Sequence, residues 1–251
     1  MDKAWFLSSA IDAVSFDCDS TLSKVEGIDE LAKKNKTYEK VNELTYKAMS
    51  NTGLSKTLYQ QRLDIVKPNS KQTEMLANHY MKEITHGVDI LLAVLRSLKK
   101  KIFIISAGNN PSVNLFANQL NIPINNVFAV DIYFDNNGNY EGFNEKSPII
   151  THYGKNRILD DIKKTSPRIL HVGDGMNDLE VKENVTRFVG FGGHVIREKV
   201  KEQSEFYINT PSLIPLIPLC LTHNEFISLK KNQRDLVTNY CLKNRSALKE
   251  K

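Results

Sequence analysis

Apolar and polar positions along the chain predict strands and helices in alternation. Short apolar runs predict buried strands at 11–16, 101–106, 127–130, 168–172, 187–189 and 206–208. Amphipathic spacing predicts helices between several of them, at 88–99, 111–120 and 153–163. Strands that alternate with helices indicate right-handed βαβ units, so we expect an α/β fold with a Rossmann-like three-layer parallel sheet.

Two segments depart from this alternation. Residues 25–86 repeat apolar positions at spacings of three and four, which predicts a small helical cap inserted after the first strand. Around Asp135-Asn136-Asn137-Gly138 the period falls to two, so we expect a β-hairpin insertion at about 132–143. The predicted organisation is therefore a core of 1–24 and 87–221, a cap of 25–86 and a helical C-terminal extension of 222–251.

Composition narrows the class of protein. Hydrophobic residues make up 41% and charged residues 25% of the 251 residues, as in ordinary globular domains. The net charge of +5 is too small and dispersed to favour nucleic acid, and no apolar run reaches the ~18 residues of a membrane span. Cys18, Cys220 and Cys241 lack the spacing of a zinc site or a disulfide framework, so we expect a cytoplasmic protein.

Polar residues directly follow three of the predicted strands. Asp17 and Asp19 end the first strand, Ser106 ends the second, and Asp174 follows the strand at 168–172. Ligands of open parallel sheets bind at the carboxyl ends of the strands, so we expect these residues on one rim. Each motif alone also fits a solvated turn, but their order along the chain favours a shared site.

The acids of this rim predict a metal site. Asp17, Asp19, Asp174 and Asp178 offer the oxygen ligands that Mg²⁺ prefers, and like charges this close are costly without a cation or a proton. A calcium-binding loop is excluded, because Leu22 stands where that loop needs glycine and a strand precedes the first acid.

The remaining rim residues are suited to a phosphate group. Ser106 and the backbone amides that follow it can donate to phosphate oxygens, and Lys155 supplies positive charge. Phosphoryl transfer requires charge neutralisation and in-line positioning. A carboxylate can act as its nucleophile, and a second acid can move the proton.

These blocks, in this order, are similar to those of the haloacid-dehalogenase-like phosphatases, and most of all to members that act on O-phosphoserine. The blocks are Asp17-Cys18-Asp19-Ser20-Thr21, Ser106-Ala107-Gly108, Lys155 and Gly173-Asp174-Gly175-Met176-Asn177-Asp178. The similarity extends over about residues 16–210. It implies an aspartyl-phosphate on Asp17 and general acid/base action by Asp19. It also implies Mg²⁺ bound by Asp17, by the backbone carbonyl of Asp19 and by Asp174, with Asp178 supporting the ion through water.

The resemblance also implies the substrate contacts. Glu26 would bind the substrate ammonium, Arg62 would bind its carboxylate, and Met49 would line the same pocket. The phosphoryl group would be held by Ser106, Ala107, Gly108, Lys155 and Asn177. The implied function is Mg²⁺-dependent hydrolysis of O-phosphoserine to serine and phosphate in serine biosynthesis.

Two departures from the family pattern keep alternatives open. Ser55 stands where the family usually has a phenylalanine that closes the pocket, so this apolar cover is lost unless Leu54 or Leu58 supplies it. Ala107 stands where the family usually has glycine, and a positive φ there would strain alanine. The chain is therefore also weighed as a phosphatase or phosphotransferase for another small phosphorylated metabolite, and as a catalytically retired binding module. The basic C-terminal extension is expected to pack on the domain, with a homodimer contact as the alternative.

Overall fold

The computed structural model describes residues 3–46, 55–244 and 248–250, the last segment by its backbone only. Within these residues one sheet contains eight strands. The strands are β1 Ala13–Phe16, β2 Lys101–Asn110, β3 Val127–Phe134, β4 Tyr140–Phe143, β5 Ile169–Gly173, β6 Arg187–Phe191, β7 Phe206–Ile208 and β8 Leu248–Glu250.

Helices precede, connect and follow the strands. Those before β2 are α1 Gly27–Lys34, α2 Tyr38–Tyr46, α3 Lys56–Val66, α4 Ser70–Lys82 and α5 Val88–Ser97. Those after β2 are α6 Ser112–Gln119, α7 Gly154–Lys163, α8 Met176–Leu179, α9 Glu198–Gln203, α10 Leu216–Leu219, α11 His223–Ser228 and α12 Lys231–Lys243.

The sheet has the order β4-β3-β2-β1-β5-β6-β7-β8, with β1 near its centre. The pairs from β3 to β7 are parallel, whereas β4 and β8 join the two edges antiparallel. Consequently the carboxyl ends of β1, β2 and β5 lie side by side on one rim. The expected α/β architecture with a mostly parallel sheet is confirmed.

Each face of the sheet is buried by its own set of apolar side chains. Val14 and Phe16 of β1 point into one cluster, which helices α5, α6 and α10 complete. Ala13 and Ile169 belong to the other cluster, together with residues of α7. Since side chains alternate along a strand, Ser15 and His171 share the face of this second cluster.

Two predicted element boundaries were wrong. The strand predicted at 101–106 is longer in the structure, because β2 continues to Asn110, with a register shift between Ile105 and Asn109. The predicted strand at 127–130 and the first arm of the predicted hairpin at 132–143 are one continuous strand, β3. The turn predicted at 135–138 is present. The first arm of the hairpin is not a separate strand, because it continues β3.

The four helices α1–α4 follow β1 and pack on one another around Leu31, Val41, Leu63 and Leu76. The chain leaves the sheet and returns to it through two segments that pair with each other. Ser23 forms an antiparallel bridge with Ile84, and the amide of Lys24 donates to the carbonyl of Glu83. Both ends of the helical insertion are thereby joined at one place beside the rim.

The C-terminal helices pack on the domain through a buried charge. Lys100 Nζ donates to Glu225 Oε1 at 2.6 Å and to the carbonyl of Ile11 at 3.0 Å. Phe226 and Val237 are buried, whereas Leu236 is 40% exposed. Among the described helices, none is both long enough and apolar enough to cross a membrane.

Candidate active site

Three buried carboxylates meet at the carboxyl ends of β1 and β5. Asp17 directly follows β1, Asp174 directly follows β5, and Asp178 lies in the short helix α8. One oxygen from each lies within 4.8 Å of the others. The carboxylate of Asp19, predicted as a fourth member, is not part of this cluster. The expectation that Asp19 contributes its backbone carbonyl stays a prediction.

Lys155 places positive charge between two of these acids. Its Nζ lies 2.9 Å from Asp17 Oδ1 and 2.5 Å from Asp178 Oδ1, with all three side chains almost completely buried. Lys155 is in the first turn of α7, which begins at Gly154. A β-carbon on Gly154 would lie 1.8 Å from the carbonyl of Pro148, so this close approach requires glycine.

Asp174 is held by a second cation. Arg197 Nε donates to Asp174 Oδ2 at 3.0 Å, and Arg197 Nη2 lies 2.9 Å from the same oxygen. Thr21 Oγ1 donates to Asp174 Oδ1 at 3.3 Å. The turn after β1 and the segment after β6 therefore position this carboxylate from two sides.

Burial and mutual repulsion give these acids unequal protonation behaviour. Burial raises the pKa of Asp17 well above its usual range, and Asp178 and Asp174 raise it further, against the attraction of Lys155. Burial likewise raises the pKa of Asp174 to about 6, although Arg197 opposes the change. Burial opposes ionisation of Asp178 too, but Lys155 and His171 lower its pKa to about 2. A divalent cation would offset the repulsion in this cluster.

Asp19 is fixed by donors from the helical insertion. The amide of Gly27, at the start of α1, donates to Asp19 Oδ1 at 2.6 Å, and the hydroxyl of Tyr80 in α4 donates to the same oxygen at 2.7 Å. Ser106 Oγ donates to Asp19 Oδ2 at 3.4 Å. Burial raises the pKa of Asp19, with these hydrogen bonds opposing it. A carboxyl group in such a site is suited to exchanging a proton.

The segment 106–108 forms the neighbouring wall. Gly108 donates its amide to Ser106 Oγ at 2.9 Å. A β-carbon on Gly108 would lie 2.8 Å from Asp19 Oδ2 and 2.9 Å from Val113 Cγ2, so glycine is needed for space. Ala107 is not among the described residues with positive φ. The strain anticipated at Ala107 is therefore absent, because the backbone is still part of β2.

A cleft opens between the rim and the helical insertion. Acidic and polar residues line one side, and Ile28, Tyr59 and Leu63 add apolar surface. Three buried atoms in its lining lack a hydrogen-bond partner within the described structure: Glu26 Oε2, Arg62 Nε and Asn177 Oδ1. Buried polar groups are rarely left unpaired, so this set marks where a polar ligand would bind.

The structure identifies a different apolar cover from the expected one. Ser55 caps α3 by accepting from the amide of Leu58, and neither residue lines the cleft. Tyr59, one turn further along, lines it instead, with its ring centre 5.2 Å from that of Phe143 and 5.6 Å from the Arg62 guanidinium carbon. Met49 and Leu54 lie outside the described residues.

The structure therefore brings together, in one cleft or against it, every predicted site residue that it describes. Sequence reasoning assigned no role to Tyr59, Tyr80 or His171. A histidine within an apolar strand was the available signal for His171. Tyr59 and Tyr80 lie in amphipathic helices, where an aromatic residue at a core position gives no warning of a polar contact.

Comparisons with known proteins agree with this geometry. The family profile described as haloacid dehalogenase-like hydrolase matches residues 11–184. Phosphoserine phosphatase of Bos taurus is 38% identical over 204 residues, covering 80% of this chain and 91% of that protein. The Homo sapiens enzyme of the same name is 37% identical over 199 residues, covering 78% of this chain and 88% of that protein.

Solved structures share the fold. A phosphoserine phosphohydrolase-like protein from Francisella tularensis superposes with a TM-score of 0.76 at 24% identity, covering 84% of this chain and 100% of that one. A substrate-bound phosphoserine phosphatase complex superposes with a TM-score of 0.72 at 21% identity, covering 82% and 96%. The chain belongs to the haloacid dehalogenase-like hydrolases and, within that family, groups with the phosphoserine phosphatases.

Proposed function

We propose that the chain is a Mg²⁺-dependent phosphomonoesterase that hydrolyses O-phosphoserine to serine and phosphate through an aspartyl-phosphate. The observation that carries the proposal is the pair of unpartnered buried atoms Glu26 Oε2 and Arg62 Nε in the cleft that contains Asp17. An amino-acid phosphate supplies an ammonium for the first and a carboxylate for the second. The curated relatives named for this activity add further support.

The acid cluster fits a hard divalent cation. Asp17 and Asp174 are buried carboxylates whose raised pKa values reflect repulsion as well as burial, and oxygen ligands of this kind suit Mg²⁺. The side chains of Asp17, Asp174 and Asp178, with the backbone carbonyl of Asp19, would hold the ion. When bound, it would neutralise charge on the phosphoryl oxygens.

In the first half-reaction, a carboxylate oxygen of Asp17 attacks phosphorus and the bond between phosphorus and the seryl oxygen breaks. Lys155, in contact with Asp17, balances charge as the phosphoryl group arrives. Asp19 donates its proton to the departing seryl oxygen, which yields serine. The raised pKa of Asp19 supports this role, because a proton must be present on the carboxyl group when the bond breaks.

In the second half-reaction, Asp19 accepts a proton from a water molecule as that water attacks the aspartyl-phosphate. The bond between phosphorus and the Asp17 oxygen breaks, which releases phosphate and restores the carboxylate. Ser106 and Asn177 border the same cleft and are suited to hold the phosphoryl oxygens in both steps.

The helical insertion supplies the substrate contacts in this proposal. We take 25–86 as a cap domain on a core of 1–24 and 87–221, since Glu26 and Arg62 come from the former and Asp17 and Lys155 from the latter. A cap over the cleft excludes bulk water from the phosphorylated acid. We also propose that the chain acts in serine biosynthesis, because serine is the product of this reaction, and its expected cytoplasmic location stays a prediction.

A substrate panel tests the proposal. Phosphate release is measured with O-phosphoserine, O-phosphothreonine, O-phosphoethanolamine and a simple sugar phosphate, each with Mg²⁺ and with a chelator. We expect the highest kcat/KM for O-phosphoserine and no turnover with the chelator. Preference for another phosphate, or transfer to an added alcohol, would assign a different substrate or acceptor. No phosphate release from any compound would leave a binding module as the function.

A further inference from the structure

Three side chains form a row across the centre of the sheet. Ser15 of β1, His171 of β5 and Phe188 of β6 are register partners on adjacent parallel strands. All three are buried, with His171 at 0% exposure. The His171 ring stacks on Phe188, with ring centres 6.3 Å apart and planes inclined by 21°. Burial of a histidine at this position lowers the stability of the fold unless both ring nitrogens have hydrogen-bond partners.

Both nitrogens of His171 have partners. Nδ1 lies 2.8 Å from Ser15 Oγ, and Nε2 lies 2.8 Å from Asp178 Oδ1. Strand pairing sets the first contact, since Ser15 lies directly opposite His171. The second joins the sheet interior to the acid cluster. The contact with Ser15 thus fixes the orientation of the ring, which presents Nε2 to Asp178, whereas Phe188 only packs on the ring face.

Asp178 is consequently held by three donors. Oδ1 accepts from Lys155 Nζ and from His171 Nε2, and Oδ2 accepts from the amide of Gly175 at 3.0 Å. A carboxylate has about four acceptor positions, so this arrangement leaves one on Oδ2. Without His171, Lys155 would be the only side chain among the described residues that donates to Oδ1, and Lys155 also donates to Asp17.

We infer that His171 is a positioning residue that, supported by Ser15, orients the Asp178 carboxylate for a divalent cation. The inference rests on the metal site of the proposed function and adds two residues that lie behind it in the sheet, His171 and Ser15. It concerns a hydrogen-bond donor at Nε2 and not a proton that is gained or lost during the reaction. Partners behind metal-ligating groups typically change metal affinity by about 10- to 100-fold when they are removed.

The test measures Mg²⁺ affinity by calorimetry in the absence of substrate. His171→Leu removes the donor and should weaken Mg²⁺ binding by about tenfold or more. His171→Gln places an amide nitrogen near the position of Nε2 and should restore most of the affinity. Phe188→Leu is the matched control, because Phe188 touches the same ring but not Asp178. It should leave Mg²⁺ affinity unchanged while lowering the thermal unfolding temperature.

A folded His171→Leu chain with wild-type Mg²⁺ affinity would overturn the inference, as would equal losses in His171→Leu and Phe188→Leu. Should His171→Leu fail to fold, nitrogen NMR of the wild-type chain decides: a protonated Nε2 supports the inference and an unprotonated Nε2 overturns it. If the wild-type chain binds no Mg²⁺ at all, the metal dependence of the proposed function fails instead. The NMR measurement still tests the donor.

Discussion

Arg62 provides the most specific test of substrate recognition, because burial of its unpaired donor lowers the stability of the ligand-free chain. The side chain is 5% exposed and its Nε has no hydrogen-bond partner within the described structure. An unpaired buried donor costs about 1–3 kcal/mol. When O-phosphoserine binds, Arg62 should pair with the substrate carboxylate. A hydrogen bond to a charged group contributes about 1.5–3 kcal/mol, which offsets the cost of the unpaired donor.

Replacing Arg62 with methionine keeps a long side chain beside Tyr59 and removes the donors. A loss of about 3 kcal/mol in ground-state binding corresponds to a rise of about 100-fold in KM for O-phosphoserine. We expect kcat to stay within a few-fold of wild type, because Arg62 is not bonded to Asp17 or Lys155. The unfolding temperature should not fall, since the variant no longer buries an unpaired hydrogen-bond donor.

Steady-state phosphate release with two substrates provides the assay. O-phosphoethanolamine has the ammonium of O-phosphoserine but no carboxylate, so its KM should change little in Arg62→Met. Arg96→Met is the control variant, because Arg96 donates to the carbonyl of Leu120 and is absent from the cleft lining. An unchanged KM for O-phosphoserine, or equal increases for both substrates, would refute carboxylate binding by Arg62.

Three further predictions follow from the cleft. Asp17→Asn should abolish phosphate release without changing circular dichroism, and substantial residual turnover would exclude Asp17 as the nucleophile. Gly108→Ala should lower kcat, because its β-carbon would press on Asp19, whereas Ala107→Gly should retain activity; equal kcat values in both would contradict this. Mg²⁺ should raise the unfolding temperature more at pH 8 than at pH 5, as measured by scanning fluorimetry.

The sign of this pH effect follows from the raised pKa values. Burial brings the pKa of Asp174 to about 6, so this carboxyl group holds a proton in the folded chain at pH 5, and burial shifts the pKa of Asp17 in the same direction. Raised acid pKa values mean that stability without metal falls as pH rises from about 4 through 6. At pH 8 the charged acids repel each other until a cation binds, whereas at pH 5 protons compete with it. Equal temperature increases at both pH values would contradict this account.

Much of the site could be predicted because a parallel sheet gathers strand ends. Asp17 and Asp174 had to lie near each other once both were placed directly after buried parallel strands. The contact of His171 with Ser15 needed strand register as well, which the apolar pattern does not specify. The continuation of β2 through Ala107 also escaped prediction, since Ala-Gly-Asn is typical of a turn, whereas in the structure the pairing of β2 with β3 resumes at Asn109 after a register shift.

The two hydrogen bonds to Asp19 Oδ1 connect the segment after β1 with the helical insertion. Gly27 begins the first helix of the insertion and Tyr80 lies in its last helix. Both nevertheless donate to the same carboxylate oxygen of Asp19, which follows β1 in the chain. A substitution in the interior of α1 or α4 can therefore displace Asp19, the carboxylate proposed to transfer the proton, without changing a residue of the cleft. Substitutions that displace Gly27 or Tyr80, although both residues belong to the insertion, should therefore alter the rate of chemistry as well as substrate choice.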